Sequence, residues 1–367
     1  MISLNAPHIG KEEIEAVVKV MKSGVLTNKL GAGPLVTKFE KGFAKLVEVK
    51  HAIAMNTGTA ALHSSTVTAE LKPGDEVILP SFTFISTAEV VVMTKAKPVF
   101  VDINPETYNI SLGKIEEAVT EKTKAVFPVD LYGLPADMKG IREIADKHGL
   151  FIIEDAAQAH GASYEGKPPG VFADVACWSF YASKNMTTGE GGMVTTNNDE
   201  IAEKLRFMRS HGEKEEYKSV MLGHNYHMSE IHAAIGCVQL ARLPKFVAKR
   251  RENARRLTAI LSGEPKLQLP RQPKGYKHSW YLYTVRLKNA KKKQRDRIVE
   301  GLRKKGIGAG VYYANPIHLM PYYSRFSKGK LSETEKASQQ VFSLPVHPGV
   351  TAGQIDIIGK SVLHLLK

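Results

Sequence analysis

The sequence predicts an α/β protein with a large domain, built on a mostly parallel, helix-covered mixed sheet of about seven strands, and a smaller C-terminal α+β domain. Short apolar runs alternate with helical patterns over the first two thirds of the chain, as in parallel-sheet proteins. These runs show little polar alternation, as expected of strands buried on both faces. The 367 residues exceed one ordinary hydrophobic core. We expect the large domain over residues 1–240 and the small domain over 241–367.

The candidate strands of the large domain are apolar and β-branched runs bounded by turn residues. In chain order they are AIAMN, EVILP, KPVFVDI, KAVFPVD, FIIED, VACWSF and GMVTT. Helical patterns such as AALHSSTVTAEL and DMKGIREIADKHG lie between several of them and end at Pro-Gly or glycine. The last two strands have no room for a crossover helix between them, which predicts an antiparallel or irregular pairing.

The pattern changes after about residue 240. A basic helical stretch, RLPKFVAKRRENARRLTAIL, leads to the strand-like run WYLYTVRL, and a helical pattern follows through RDRIVEGLRKKG. The segment VYYANPIHLMPYY comes next. These features predict the small domain and a helix that bridges the two halves.

Composition indicates a soluble globular protein, with 43% hydrophobic and 24% charged residues. We find no apolar run long enough to span a membrane and no secretion signal at the start. The two cysteines, Cys177 and Cys237, lie in apolar runs that suit reduced thiols better than a disulfide. A cytoplasmic protein without a membrane partner is therefore expected.

The chain is basic, with a formal net charge of +14. Much of the excess lies in residues 248–256 and 288–297, which we interpret mainly as solvated helix faces and a basic turn. Attraction of an anionic small molecule is a second interpretation. The run at 288–297 lacks aromatic residues, and helix-turn-helix, zinc and RNA-binding signatures are not found, so we expect no nucleic-acid partner.

Two strand ends carry polar residues suited to a ligand site, since ligands gather at the carboxyl ends of parallel strands. FIIED ends in Glu154 and Asp155, and a buried carboxylate there needs a cation or a proton donor. A helix N-cap is the simpler interpretation of Asp155 alone. AIAMN leads into Thr57, Gly58 and Thr59 at a helix start, which can bind an anion or simply cap the helix.

Two further strand ends carry an aromatic ring and a lysine. EVILP leads to Phe84, which can pack on a flat ligand or fill the core. VACWSF leads through Ser179 to Lys184, in a loop of small residues. A solvated loop lysine explains neither this position nor these neighbours. Pyridoxal phosphate (PLP) uses all of these groups: a lysine amine for its aldehyde, a carboxylate for its ring nitrogen, an anion cradle and a stacking ring.

The sequence resembles the DegT/DnrJ/StrS-type sugar-nucleotide aminotransferases, which are fold-type-I PLP enzymes. The resemblance covers nearly the whole chain, from APHIGKEEIEAVVKVMKSGVLT to SLPVHPGVT. Its most specific segments are IIEDAAQAHGA and SFYASKNMTTGEGG, and NTGTAALH, PSFTFISTA, HNYHMSEIHAA and YYANPIHLMPYY add to it.

The resemblance implies roles for four residues around the cofactor ring. Lys184 matches the Schiff-base lysine, and Asp155 matches the aspartate that pairs with the pyridine nitrogen. Gln158 would hydrogen-bond the ring hydroxyl oxygen, and Phe84 would stack on the ring. Lys184 also favours an aminotransferase, because relatives that dehydrate a deoxy sugar carry histidine at this position.

It also implies that Gly58, Thr59 and Ser179 hold the phosphate. Asn225 matches an asparagine that reaches the neighbouring subunit's phosphate, so we expect a homodimer with shared active sites. His318 matches a histidine near the substrate end of the pocket. One departure is His227, which stands where the family motif N-Y-R-M-S-E has arginine.

The resemblance implies a ping-pong transamination, in which L-glutamate leaves as 2-oxoglutarate and the cofactor becomes pyridoxamine phosphate. The nitrogen then passes to a nucleotide-linked keto sugar, which gives an amino sugar for a polysaccharide, glycan or antibiotic. No metal is expected. Three alternatives stay open: a PLP-dependent sugar dehydratase, another fold-type-I activity, and a non-catalytic basic regulatory protein of the same fold.

Overall fold

The structure is a computed structural model that describes residues 1–30 and 32–367. Its helices are α1 (Lys11–Ser23), α2 (Pro34–Leu46), α3 (Gly58–Thr68), α4 (Ser86–Met93), α5 (Leu112–Ala118), α6 (Met138–His148), α7 (Asp199–Arg209), α8 (Glu230–Leu261), α9 (Lys292–Lys304), α10 (Ser332–Gln340) and α11 (Ala352–Leu365). Its strands are β1 (His51–Met55), β2 (Glu76–Pro80), β3 (Lys97–Val101), β4 (Thr123–Val126), β5 (Phe151–Asp155), β6 (Ser163–Tyr164), β7 (Val175–Ser179), β8 (Gly192–Thr196), β9 (Glu213–Glu215), β10 (Lys218–Ser219), β11 (Leu267–Gln268), β12 (Tyr276–Lys277), β13 (Tyr283–Leu287) and β14 (Val341–Leu344).

A seven-stranded sheet forms the centre of the large domain, in the order β1-β8-β7-β5-β4-β2-β3. Strands β3, β2, β4, β5 and β7 are parallel, whereas β8 is antiparallel to both β7 and β1. The predicted mixed, mostly parallel sheet is confirmed. The antiparallel pairing of β7 with β8 is also confirmed, because the connection between them contains no helix.

The strand bounds follow the apolar runs closely, with one instructive difference. Strands β2 and β5 coincide with EVILP and FIIED. Strand β4 ends at Val126, before the predicted end at Asp130. Pro128 lies in the missing part and has no N–H to donate to a neighbouring strand. The chain nevertheless stays beside β5, since Asp130 N donates to Asp155 O at 3.0 Å.

The C-terminal part has a hydrophobic core of its own, which joins α8, α9 and α11 to the three-stranded sheet β11-β13-β14. The predicted bridging helix is present, but it begins at Glu230 rather than near residue 242. Its start signal is Ser229, whose side chain accepts a hydrogen bond from His232 N. Helix α8 therefore runs through the predicted boundary at 240/241, and the division into two domains stays a prediction.

Two arginines of the basic runs depart from the expected solvated position. Arg250 and Arg295 are almost fully buried. Arg250 donates to the carbonyl oxygens of Trp280 and Tyr281, both at 3.2 Å. Arg295 donates to the carbonyl oxygens of two residues near the end of α10. These two side chains tie elements of the C-terminal part together rather than attract a ligand.

Within the described residues, the helices are too short or too polar to cross a membrane.

Candidate active site

One edge of the central sheet brings together most of the residues predicted to bind the cofactor. The edge is formed by the carboxyl ends of β1, β2, β5 and β7, which point the same way. The residues placed there are Gly58, Thr59, Phe84, Asp155, Gln158, Ser179 and Lys184. Topology alone therefore collects groups that lie far apart along the chain.

Asp155 ends β5 with a buried side chain. Thr87 donates its hydroxyl to Oδ2 at 3.0 Å, and Ala157 donates its backbone N–H to Oδ1 at 3.1 Å. Burial raises the pKa of Asp155, while these two bonds and the positive charge of Lys184 act in the opposite direction. The carboxylate is thus oriented by its donors and lies within electrostatic reach of Lys184. A cation or N–H placed beside it would be held strongly.

Lys184 follows β7 in a loop and is half-buried. Its backbone N–H donates to Tyr181 O at 2.9 Å, which forms a turn. Its Nζ lies 4.7 Å from the centre of the Tyr281 ring, and the Tyr281 hydroxyl is 2.9 Å from Ser183 Oγ. The ring restricts the side chain and covers its charge. The interpretation of Lys184 as a freely solvated loop lysine is therefore wrong.

The start of α3 lies against the end of β7 and leaves no room for a side chain at residue 58. A Cβ on Gly58 would be 2.8 Å from the Cβ of Ser179 and 3.0 Å from its Oγ. Thr57 caps the helix by accepting from Ala60 N, so it is already engaged. Thr59 Oγ1 lies 3.0 Å from Ser86 Oγ. Hydroxyl groups and a helix N-terminus meet here, which is the donor set that binds a phosphate.

Gln158 has a fixed orientation because both ends of its amide are bonded. Its Oε1 accepts from Tyr132 N at 2.8 Å, and its Nε2 donates to the Tyr313 hydroxyl at 3.1 Å. Phe84 is 55% exposed, and its ring centre lies 6.4 Å from that of Tyr313. A large apolar side chain left exposed near polar groups suits a ring that covers a ligand.

Three residues of this site were not predicted: Thr87, Tyr281 and Tyr313. Thr87 lies within the quoted segment PSFTFISTA, so its closeness to Phe84 along the chain was an available signal. The two tyrosines come from the C-terminal part, and no spacing rule connects them to Lys184 or Gln158. Only the packing of that part against the sheet brings them in.

Asn225 and His318 are not joined to this cluster by a side-chain contact within the described residues. The Asn225 side chain is exposed, and its carbonyl accepts from Asn56 Nδ2 at 3.3 Å. His318 is buried, with Nδ1 2.7 Å from Ser81 Oγ and Nε2 3.5 Å from a glutamate of α10. These contacts tie His318 to the loop that follows β2. The substrate role of His318 stays a prediction.

His227 is half-buried next to Asn225, and its Nε2 has no hydrogen-bond partner among the described residues. Burial lowers the pKa of His227, and the positive charge of Arg209 lowers it further. The ring is therefore neutral near pH 7, so it does not supply the positive charge that arginine has in the family motif.

The residues present fit PLP by three features. Gly58 packs so closely on Ser179 that a Cβ would clash, which brings the α3 N-terminus and the Ser179 hydroxyl together as donors for a phosphate. The buried carboxylate of Asp155 calls for a cationic N–H. The amine of Lys184 is near enough to act on the pKa of that carboxylate. At one sheet edge, the anion site matches the phosphate of this cofactor, the amine matches its aldehyde and the carboxylate matches its ring nitrogen.

Comparison with known proteins agrees with this arrangement. Residues 7–363 match the model of the DegT/DnrJ/EryC1/StrS aminotransferase family. GDP-perosamine synthase of Caulobacter vibrioides is 39% identical, with 97% of this chain and 95% of the relative covered. A pleiotropic regulatory protein of Geobacillus stearothermophilus is 40% identical, with 90% and 89% covered.

Among solved structures, the PLP form of Spr1654 from Streptococcus pneumoniae, described as a candidate sugar aminotransferase, superposes with a TM-score of 0.93 at 28% identity. The match covers 99% of this chain and 98% of that one. The predicted resemblance and fold class are thus confirmed, and the chain belongs to the DegT/DnrJ/EryC1/StrS aminotransferase family.

Proposed function

We propose that this aminotransferase uses PLP to move an amino group from L-glutamate to a keto sugar linked to a nucleoside diphosphate. One observation carries the proposal: the buried Asp155 carboxylate, the Lys184 amine and the α3 anion cradle occupy one sheet edge. The cofactor has support of its own, since a structural neighbour with the same fold was solved in its PLP form.

The bound cofactor would supply an electron sink for the carbanion formed during transfer. Lys184 would hold it through the side-chain amine and, once released, would move a proton between substrate carbon and cofactor carbon. Asp155 would keep the ring nitrogen protonated, with Thr87 and Ala157 holding the carboxylate in place. Gly58, Thr59 and Ser179 would take the phosphate, as their hydroxyl groups and close packing suggest.

Phe84 and Gln158 would fix the plane of the cofactor. Phe84 is free to lie on one face because more than half of its surface is exposed. Gln158 has a rigid amide, bonded at both ends, so it can hold the ring oxygen without reorganising. The Tyr281 ring lies against the Lys184 amine and would limit the access of water from that side.

The sugar-nucleotide substrate is supported by a relative named GDP-perosamine synthase, which matches nearly the whole chain. The net charge of +14 also suits an anionic diphosphate. Lysine at position 184 favours amino transfer over dehydration, because the amine is the group that holds the cofactor between half-reactions.

A non-catalytic regulatory role is the second alternative, and one relative is named a pleiotropic regulatory protein. The same chain keeps a half-buried lysine beside an oriented carboxylate. A protein without catalysis has no need of this costly buried arrangement. The intact pair therefore favours the enzyme.

Half-reactions test the proposal. Purified protein with PLP should convert L-glutamate to 2-oxoglutarate, and a panel of nucleotide keto sugars should then yield amino sugars by mass spectrometry. Borohydride should fix the cofactor to Lys184, and Lys184→Ala should lose both turnover and labelling. The exposed Lys288→Ala serves as the matched control and should keep both. Labelling at another lysine, or a protein that never binds PLP, would favour the regulatory alternative.

We also propose that the active unit is a homodimer with shared sites. Helix α1 exposes Ile14, Val18 and Met21, which lie on one face at helical spacing. Val25 and Leu26 extend this apolar surface past the end of the helix. A second copy of the chain would cover the surface, and the exposed Asn225 side chain would then be available to a neighbouring site.

Mixed dimers test the sharing. Lys184→Ala and Asn225→Ala should each be inactive alone, but mixed subunits should regain activity, because one site per mixed dimer would receive both intact residues. Random mixing should restore about a quarter of wild-type activity, since half of the dimers are mixed and each has one of two sites. Activity that never exceeds the sum of the two variants would contradict shared sites.

A further inference from the structure

Two carboxyl groups outside the proposed chemistry, Asp130 and Glu154, are completely buried beside Asp155. Glu154 precedes Asp155 on β5, so its side chain points to the opposite face of the sheet. Asp130 lies at the end of the neighbouring strand segment and donates its backbone N–H to Asp155 O at 3.0 Å. Both groups therefore belong to the sheet edge that presents Asp155.

One oxygen of each carboxyl group accepts a backbone N–H. Gly170 N donates to Glu154 Oε2 at 2.6 Å, and Ala136 N donates to Asp130 Oδ1 at 2.8 Å. The other two oxygens, Asp130 Oδ2 and Glu154 Oε1, are buried and receive no N–H or O–H from a third residue in the described part of the chain. The two side chains are close enough for a side-chain hydrogen bond between them to act on the pKa of each carboxyl group.

Two ionised carboxylates can only accept, so such a contact needs a proton between the oxygens. Without it, two like charges would lie together in a dry environment at a large cost. Burial raises the pKa of Asp130 and also that of Glu154, in agreement with a retained proton.

We propose that Asp130 and Glu154 share one proton, and that this acid–carboxylate pair is a positioning element for the cofactor-binding edge. The positioning role rests on the proposed function, whereas the shared proton follows from the position of the two carboxyl groups alone. The pair bridges the ends of two neighbouring strands, one carrying Asp155 and the other leading to Tyr132. Tyr132 N donates to Gln158 Oε1, so the bridge supports both Asp155 and Gln158, which are proposed to contact the cofactor.

The shared proton also limits charge. Asp155 must be ionised to hold a protonated ring nitrogen, and negative charge nearby works against its ionisation. With one proton shared, the pair adds one negative charge instead of two. Three other titratable groups interact electrostatically with the pair: Asp155 on the same strand, Cys177 on β7 and Tyr276 on β12. Among these groups no cation offsets the second charge.

Amide substitutions test the shared proton, because an amide has the same shape as a protonated carboxyl group. In Glu154→Gln the amide oxygen can accept from Gly170 while the NH₂ donates to Asp130, and Asp130→Asn allows the reverse. Folded carboxyl groups with a raised pKa lose their stabilising contribution as pH rises. Cofactor-free wild type should therefore lose at least about 2 °C in melting temperature between pH 6 and 9 relative to either variant.

Glu13→Gln is the control. Glu13 is also buried, and although burial alone would raise the pKa of Glu13, bonds from Gly10, Gln239 and Arg242 lower it. This variant should be less stable than wild type by an amount that stays constant over the same pH range. Wild-type and Glu154→Gln melting curves that run parallel with pH would overturn the shared proton.

Infrared spectroscopy gives a measurement that does not depend on the stability of the amide variants. In the Asp155→Asn background, cofactor-free protein should show the C=O band of one buried protonated carboxyl group near pH 7, and adding Glu154→Gln should remove it. Absence of the band in that background would overturn the proposal. PLP titration separates the positioning role of the pair from the proposed function. Glu154→Gln should bind PLP with an affinity within about threefold of wild type, and Glu154→Ala should bind PLP at least tenfold more weakly. Equal binding by Glu154→Ala would reject the positioning role, and failure of wild type to bind would reject the proposed function alone.

Discussion

Adding one methyl group at Gly58 tests the phosphate cradle directly. The Cβ of Gly58→Ala would lie 2.8 Å from the Cβ of Ser179 and 3.4 Å from its Cα. Carbon atoms normally approach to about 3.5–4.0 Å, so the end of β7 and the start of α3 must separate by about 1 Å. The obstacle is a strand residue, with no flexible side chain that can move away. The backbone of Gly58 has ordinary helical geometry, so the contact alone carries the effect.

Overpacking of this kind costs about 1–3 kcal/mol, which corresponds to about 1–4 °C in melting temperature for a chain of this length. The separation also removes at least one donor from the phosphate, and a hydrogen bond to a charged group contributes about 1.5–3 kcal/mol. PLP should then bind about 10- to 150-fold more weakly. Differential scanning fluorimetry without cofactor and fluorescence titration with PLP measure the two effects separately.

Ser179→Gly, combined with Gly58→Ala, separates strain from lost contacts. The double variant removes the clash and should recover most of the melting temperature, with a coupling free energy of about 0.5–3 kcal/mol. Its PLP affinity should stay low, because the Ser179 hydroxyl is gone. Gly113→Ala in α5 is the control, since a Cβ there meets open space. A Gly58→Ala protein that melts like wild type and binds PLP within threefold would refute the cradle.

Three further substitutions have expected outcomes. Phe84→Ala should cost less than about 1 kcal/mol of stability because the ring is largely exposed, yet should weaken PLP binding; a large drop in melting temperature instead would make Phe84 a core residue. Burial raises the pKa of Asp155, so the folded state loses stability as pH rises through that pKa. Without cofactor near pH 7, Asp155→Asn should therefore have a higher melting temperature than wild type, and this gain should vanish near pH 4. Its turnover should fall by several orders of magnitude. Near-normal turnover would mean that another group binds the ring nitrogen. Arg209→Ala should destabilise the protein by about 3–5 kcal/mol in urea unfolding, because Glu40 loses its buried guanidinium partner, and a change below about 1 kcal/mol would contradict this.

Local pattern was sufficient for much of the fold. The strands β2 and β5 coincide with their apolar runs because a strand buried on both faces has to be apolar throughout. The antiparallel pairing of β7 and β8 followed from the short connection between them. The predicted start of α8 was wrong, because the basic stretch that indicates the helix begins only at residue 242. The helix itself begins earlier, after the Ser229 cap.

The candidate site divides in the same way. Lys184, Asp155 and Gly58 could be predicted because a strand end is a local feature and parallel strands bring their ends to one edge. Tyr281 and Tyr313 could not, since their contacts depend on how the C-terminal part packs against the sheet. Arg250 was expected in water and lies buried on backbone carbonyls for the same reason.

The sequence by itself determined the α/β class, the strand ends and the identity of the chemical groups, because these depend on residue type and on neighbours along the chain. Only the tertiary structure decided which side chains orient Asp155, what covers Lys184, and that Asp130 and Glu154 meet. Those contacts join residues far apart in sequence, and burial, which sets their charge states, exists only once the chain has folded.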